Sequence, residues 1–210
     1  MSTTSWPVPP HDDLPTVLKR MKYDIPYLAR LIRTMMSEGI DHLTEMTENP
    51  ERMPMHTLFP PKIRTHYTNA SYYIRRPLFK LKRAAEDDFM KLNRRPRPLT
   101  RKHAMQELGM QLATHLGRLD DLLDEFGGGV RSVCGTLIKL IKADKDVSRK
   151  AEGSKYMLEM YKRDPWYVHT ERAHPKAWDK FRAVVKATLQ VVDSLEKTAE
   201  ECRVFLKQQP

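Results

Sequence analysis

The chain has 210 residues and carries 37 Lys+Arg against 27 Asp+Glu, a formal net charge of +10, with a pI near 9.6. At 40% hydrophobic and 30% charged residues and a mean hydropathy of −0.63, it is too apolar for a wholly disordered polymer and too charged for a membrane-embedded one. The length permits one domain with a sizeable core.

Met1–Pro15 holds Trp6, four prolines and Asp12–Asp13, which matches neither a secretory signal nor an Arg-rich transit peptide. It reads as a proline-rich arm, residues 1–24, with a short helix from about Leu14 to Tyr23. Residues 25–210 read as a single helical-bundle domain. After Asp24 as candidate N-cap and Pro26 in the first turn, apolar residues recur at Ile25, Leu28, Ile32, Met35, Leu43 and Met46, predicting a helix over about 26–48. Pro50–Pro61 reads as an irregular crossover. The spacing resumes at Ile74, Leu78, Leu81, Ala85, Phe89 and Leu92, a helix over about 65–94 that Pro77 should kink or restart.

The next helix has the clearest expected ends. Thr100 serves as N-cap, Met105, Leu108, Leu112, Leu116, Leu119, Leu123 and Phe126 form the stripe, and Gly127 is the expected left-handed stop, giving about 100–126. A further helix over about 130–163 follows the Gly127–Gly129 turn, with a weak point at Gly153. The last, about 175–207, reads Trp178, Phe181, Val185, Thr188, Val192, Leu195, Ala199, Cys202 and Leu206 in alternating steps of three and four. No convincing strand or internal repeat occurs. The expected fold class is all-α: a bundle of four to five long amphipathic helices with a proline-rich arm and crossover loops.

The charge is local. Between Lys62 and Lys102 stand thirteen Lys+Arg and three acids, while the rest of the chain balances 24 against 24. Arg outnumbers Lys eight to five in that segment, and a guanidinium pairs bidentately with phosphate and stacks on bases. The candidate anion-binding or nucleic-acid-binding residues are Arg64, Arg75, Arg76, Lys80, Arg83, Arg94, Arg95, Arg97, Arg101 and Lys102. Tyr67, Tyr72 and Tyr73 are candidates for base stacking. A plain solvated helix face is the competing account of the same residues, with the tyrosines as core or subunit contacts. Trp6, Phe59, Trp166 and Tyr167 lie in segments without helical period and are candidate anchors for partner subunits.

Catalytic chemistry finds little footing. Glu171-Arg-Ala-His174 matches one half of a di-iron motif, with no second copy. Glu38, His42 and Glu45 read as a polar helix edge, and His103 and His115 are too far apart to chelate one ion. Gly127-Gly128-Gly129 lacks the Lys-Ser/Thr of a phosphate loop. Cys134 and Cys202 fall at apolar helix positions and read as small buried hydrophobes, in keeping with a reducing compartment. The reading contains no catalytic residue, metal or cofactor, and the protein is expected not to be an enzyme.

These features point to a structural or interaction subunit of a large assembly that contacts an anionic partner, RNA first, through 62–102, with neighbouring protein subunits held by the arms. One alternative is a self-assembling helical nucleocapsid or coat protein packing a nucleic acid. Another is an accessory or adaptor subunit docking on an acidic protein or an anionic membrane surface without nucleic acid. No apolar run reaches the roughly 18 residues of a transmembrane segment. The expected location is intracellular, in cytoplasm or nucleus, with organelle or virion left open.

Overall fold

The computed structural model describes residues 13–48, 59–93, 99–151 and 175–208. Those residues are almost entirely helical. A short α1 (Asp13–Lys19) passes through one π-helical turn (Arg20–Asp24) into α2 (Ile25–Glu48); α3 (Phe59–Asn93), α4 (Leu99–Ala151) and α5 (Pro175–Lys207) follow. Each long helix packs on two others: α4 lies against α3 and α5, and α2 lies against the same pair on the far side. Among the described residues, no helix is long and apolar enough to cross a membrane.

Asp24 is not an N-cap, because the chain is already helical before it. Pro26 explains the π turn. A proline inside a helix has no N–H to give and its ring crowds the carbonyl four residues back, here that of Lys22. Widening the preceding turn relieves that conflict, and the Ile25 N–H bonds to the Arg20 carbonyl five residues back. Pro60 and Pro61 fall in the first turn of α3, where missing N–H groups are harmless, so the helix opens at Phe59 instead of near 65. Pro77 lies within α3 at an exposed position, where solvent can serve the carbonyl it leaves unpartnered.

The expected stop at Gly127 is absent. α4 runs unbroken through Gly127–Gly129, and no described glycine has a positive φ. These glycines serve close packing instead. A Cβ on Gly129 would lie 3.0 Å from Phe181 Cδ2, and one on Gly39 would lie 3.0 Å from Phe126 Cζ. The two rings they admit belong to a buried aromatic series spanning the bundle. Tyr67 of α3 meets Phe126 of α4 edge-on at 6.2 Å, Phe126 meets Phe181 of α5 at 5.4 Å, and Phe181 stacks on Trp178 at 5.6 Å. His42 Nδ1 of α2 hydrogen-bonds the Tyr67 hydroxyl. Burial, with the Glu38 and Asp41 carboxylates nearby, pushes the Tyr67 phenol up to about 12.

Aliphatic layers continue on either side. Ile32, Met36 and Leu43 of α2, Leu78 of α3, Leu112, Leu116 and Leu119 of α4, and Val192 and Leu195 of α5 are all fully buried. Within this core Ser71 donates to the Leu123 carbonyl at 2.5 Å, binding α3 to α4, and the Thr188 hydroxyl donates back to the Val184 carbonyl one turn earlier in its own helix. Arg33 pairs with Asp193 and Glu196 at 2.6 Å each, joining α2 to α5 at the surface. Cys134 and Cys202 are buried free thiols, both pushed up to about 12 by desolvation.

Substitution and titration test this packing. Gly129→Ala lowers stability by about 1 kcal/mol, because the overpacking cost of roughly 1–3 kcal/mol against a ring held between Phe126 and Trp178 exceeds a helix-propensity gain of about 1. Gly128→Ala meets only the mobile end of Arg131 at 3.9 Å and raises stability by about 0.5–1 kcal/mol; a broken helix at this point would reverse that sign in urea titrations. Leu112→Asp or Val192→Asp, each placing a carboxylate at a site of 0% exposure, costs about 4 kcal/mol or more and removes the cooperative thermal transition. The thiols resist a soluble disulfide reagent until the protein unfolds. Their folded pKa lies above the ordinary 9.0, so the unfolded chain releases these protons first and stability falls as pH rises from 9 toward 12. The urea midpoint should drop across that window, and drop less in the Cys134→Ala, Cys202→Ala double variant.

Candidate nucleic-acid interface

α3 carries most of the basic segment, and its packing decides which of those charges reach solvent. Ile63, Tyr67, Ser71, Leu78, Leu81 and Ala85 face inward, and the half-buried Ile74 completes their three- and four-residue steps. The opposite stripe presents Tyr72, Tyr73, Arg76, Phe79, Lys80 and Arg83, all exposed. Spacing of 4, 3 and 4 between Tyr72, Arg76, Phe79 and Arg83 keeps rings and cations on one side of the helix.

Two of the expected residues change role. Tyr67 is 0% exposed and cannot stack on a base; its ring belongs to the core and its hydroxyl to His42. Arg75 is committed to α4, with Nε 2.7 Å from Asp120 Oδ1 and Nη1 2.7 Å from Asp124 Oδ1. Both carboxylates raise its pKa, so it stays charged while its charge is answered within the protein. Phe59 opens α3, and its side chain lies outside the described residues.

Arg76, Lys80 and Arg83 have no carboxylate pairing among the described residues. Arg64 is exposed lower on α3, and its positive charge works against the desolvation of the Cys134 thiol. Arg101 is exposed and Lys102 half-buried in the first turns of α4. The Lys82 amine lies over Gly117 of α4, 3.5 Å from where a Cβ would stand. Arg94, Arg95, Arg97, Trp6, Trp166 and Tyr167 lie outside the described residues, as do Glu171 and His174.

Tyr72, Arg76, Phe79 and Lys80, with the Arg75–Asp120 pair as floor, line a hollow of about 480 Å³ on the outer face. Tyr72 and Tyr73 meet edge-on at 6.0 Å, 59% and 65% exposed. Arg83 lies over the Phe79 ring, 4.7 Å from its centroid, and that ring is half-exposed. Phe79 is the stacking candidate that sequence reasoning passed over. Its signal was available: it follows Leu78 directly and so falls off the Ile74–Leu78–Leu81 stripe. The hollow offers aromatic faces beside charges that can meet phosphate oxygens.

Among the described residues, no group of three or more His, Cys, Asp or Glu side chains is placed to hold a metal ion. Glu38 and His42 share a region of α2, but His42 is engaged by Tyr67. His103 and His115 line a separate open hollow on α4 with Met110. No protein-family model matches the chain, and neither the characterised proteins nor the solved structures compared with it give a match.

Proposed function

We propose that the chain is a non-enzymatic structural and interaction subunit of a larger assembly that contacts RNA through the basic segment 62–102. The observation that supports this reading is the outer stripe of α3, where Arg76, Lys80 and Arg83 alternate with Tyr72 and Phe79. A solvated helix face requires charge, but it does not require rings that leave half their area in water. Cations neutralise phosphates and release counterions, while the rings take the flat faces of bases. An acidic protein or lipid surface would use the same cations and leave the interleaved rings without an evident role.

The stripe also sets a scale for the binding. Three phosphate contacts to a single strand give a salt slope near 0.7 × 3, so affinity falls roughly 20-fold between about 50 and 200 mM salt. Each further contact multiplies that loss by about 2.6.

Fluorescence anisotropy with a labelled twelve-nucleotide oligo(U) across that salt range tests the reading. Wild type binds with a salt dependence of at least that size, and the Arg76→Gln, Lys80→Gln, Arg83→Gln triple variant loses most of it while keeping its helical circular dichroism. A parallel Arg94→Gln, Arg95→Gln, Arg97→Gln variant separates the contribution of the α3–α4 connection. Binding to acidic liposomes but not to RNA, or a triple variant indistinguishable from wild type, overturns the proposal. Uniform filaments formed with RNA would favour the coat-protein form of the same function.

A further inference from the structure

Lys80 belongs to two hollows. On one side it lines the cavity with Tyr72, Arg76 and Phe79. On the other it lines a second, of about 400 Å³, where Pro77 and Lys80 of α3 face Arg20 and Asp24 of the π turn and Tyr27 of α2. Asp24 and Tyr27 in turn line a third hollow, of about 570 Å³, with Lys22, Tyr23 and Arg30. The three are therefore neighbours in a row, joined by shared walls. The row runs off the basic segment onto residues 20–30, which the charge count along the sequence leaves in the electroneutral part of the chain.

The exposed rings follow the same row. Among the described residues the exposed large aromatic side chains are Tyr23, Tyr27, Tyr72, Tyr73 and Phe79. Four of them line the row, and Tyr73 abuts Tyr72. Each ring at the α2 end is also paired with a cation: Lys22 Nζ lies 4.8 Å from the Tyr23 centroid and Arg30 Cζ 5.5 Å from that of Tyr27. Arg83 stands in the same relation to Phe79. A ring with a cation on it holds a stacking surface and a phosphate-seeking charge side by side, the two groups that one nucleotide presents. Carboxylates are few: Asp24 serves the second and third hollows, and Asp120, in the first, is bound to Arg75.

We infer that the π turn, the start of α2 and the outer face of α3 form one continuous track for a single-stranded polynucleotide, with Tyr23, Tyr27, Tyr72 and Phe79 as stacking platforms. The inference rests on the polyanion reading above and deepens it. It requires unpaired bases, since a base inside a duplex has both faces covered by its neighbours and offers no surface to a protruding ring.

The test uses the full chain with three probes: twelve-nucleotide oligo(U), twelve-nucleotide oligo(dT), and an RNA hairpin duplex with the same number of phosphates. Wild type binds a single strand more tightly than the duplex, and the comparison of oligo(U) with oligo(dT) assigns the sugar. Tyr23→Ala with Tyr27→Ala weakens single-strand binding by about tenfold while leaving the salt slope unchanged, because stacking involves no counterion release. Lys22→Gln with Arg30→Gln reduces the slope itself. All four side chains are exposed, so these variants retain the wild-type thermal transition. If both α2-side variants bind as wild type while the α3 triple variant loses affinity, the track is overturned and the α3 reading stands. A preference for the duplex overturns the track as well, and absence of binding to every probe overturns both.

Discussion

The bundle depends on one contact series, the aromatic stack that Tyr67, Phe126, Phe181 and Trp178 build across α3, α4 and α5. Large rings at helix crossings normally hold helices apart, because interaxial distance follows the side chains at the contact. Here Gly39 and Gly129 remove the side chain that would oppose each ring, so Phe126 and Phe181 lie directly against neighbouring backbone. The stack therefore brings large apolar area to the middle of the bundle without opening it. Its position also explains why α4 is continuous: the triple glycine sits where the helix meets Phe181 and Ser71, and a turn there would remove the surface that receives them.

That register propagates outward. With Ser71 on the Leu123 carbonyl and Gly127 beside Ser71, α3 is fixed in rotation against α4. One turn further along, the same rotation brings Arg75 between Asp120 and Asp124 and leaves Arg76, one residue on, facing solvent. Two adjacent arginines thus divide between structure and surface. Exposed ion pairs of this sort contribute modestly to stability, so the Arg75 pairing matters more for where it points the rest of α3 than for its energy. The core sets the rotation, the rotation selects the exposed charges, and those charges define the candidate interface.

Much of this was legible in the apolar periodicity. The stripe from Trp178 to Leu206 is buried as its spacing implied, and so are Ile25, Leu28, Ile32, Met35 and Leu43. What misled was local punctuation with two physical meanings. Glycine favours a left-handed stop and equally permits close approach, and the choice at Gly127–Gly129 depends on Phe181, some fifty residues away. Proline before a helix and proline in its first turn look alike in sequence, which hid the opening of α3 at Phe59. Once that earlier start is known, Tyr67 falls in phase with Ile74 and Leu78 and is readable as core. The Arg75 pairing was not legible at all, because nothing local names a partner 45 residues away.

The charge surplus takes on a different meaning in three dimensions. Counting along the chain assigns it to one segment, yet the fold spends Arg75 internally, lays Lys82 over Gly117, and adds Lys22 and Arg30 from a part of the chain that is neutral on balance. Net charge along a sequence is thus a poor map of the field at a surface, where sign and distance after packing decide attraction. It also carries little chemical identity, since any polyanion answers a row of cations. The rings narrow that choice. Among the described residues, five large aromatic side chains stand half in water and forgo burial; under the proposed function, their alignment with the cations puts that exposure to use in meeting a charged, unpaired strand.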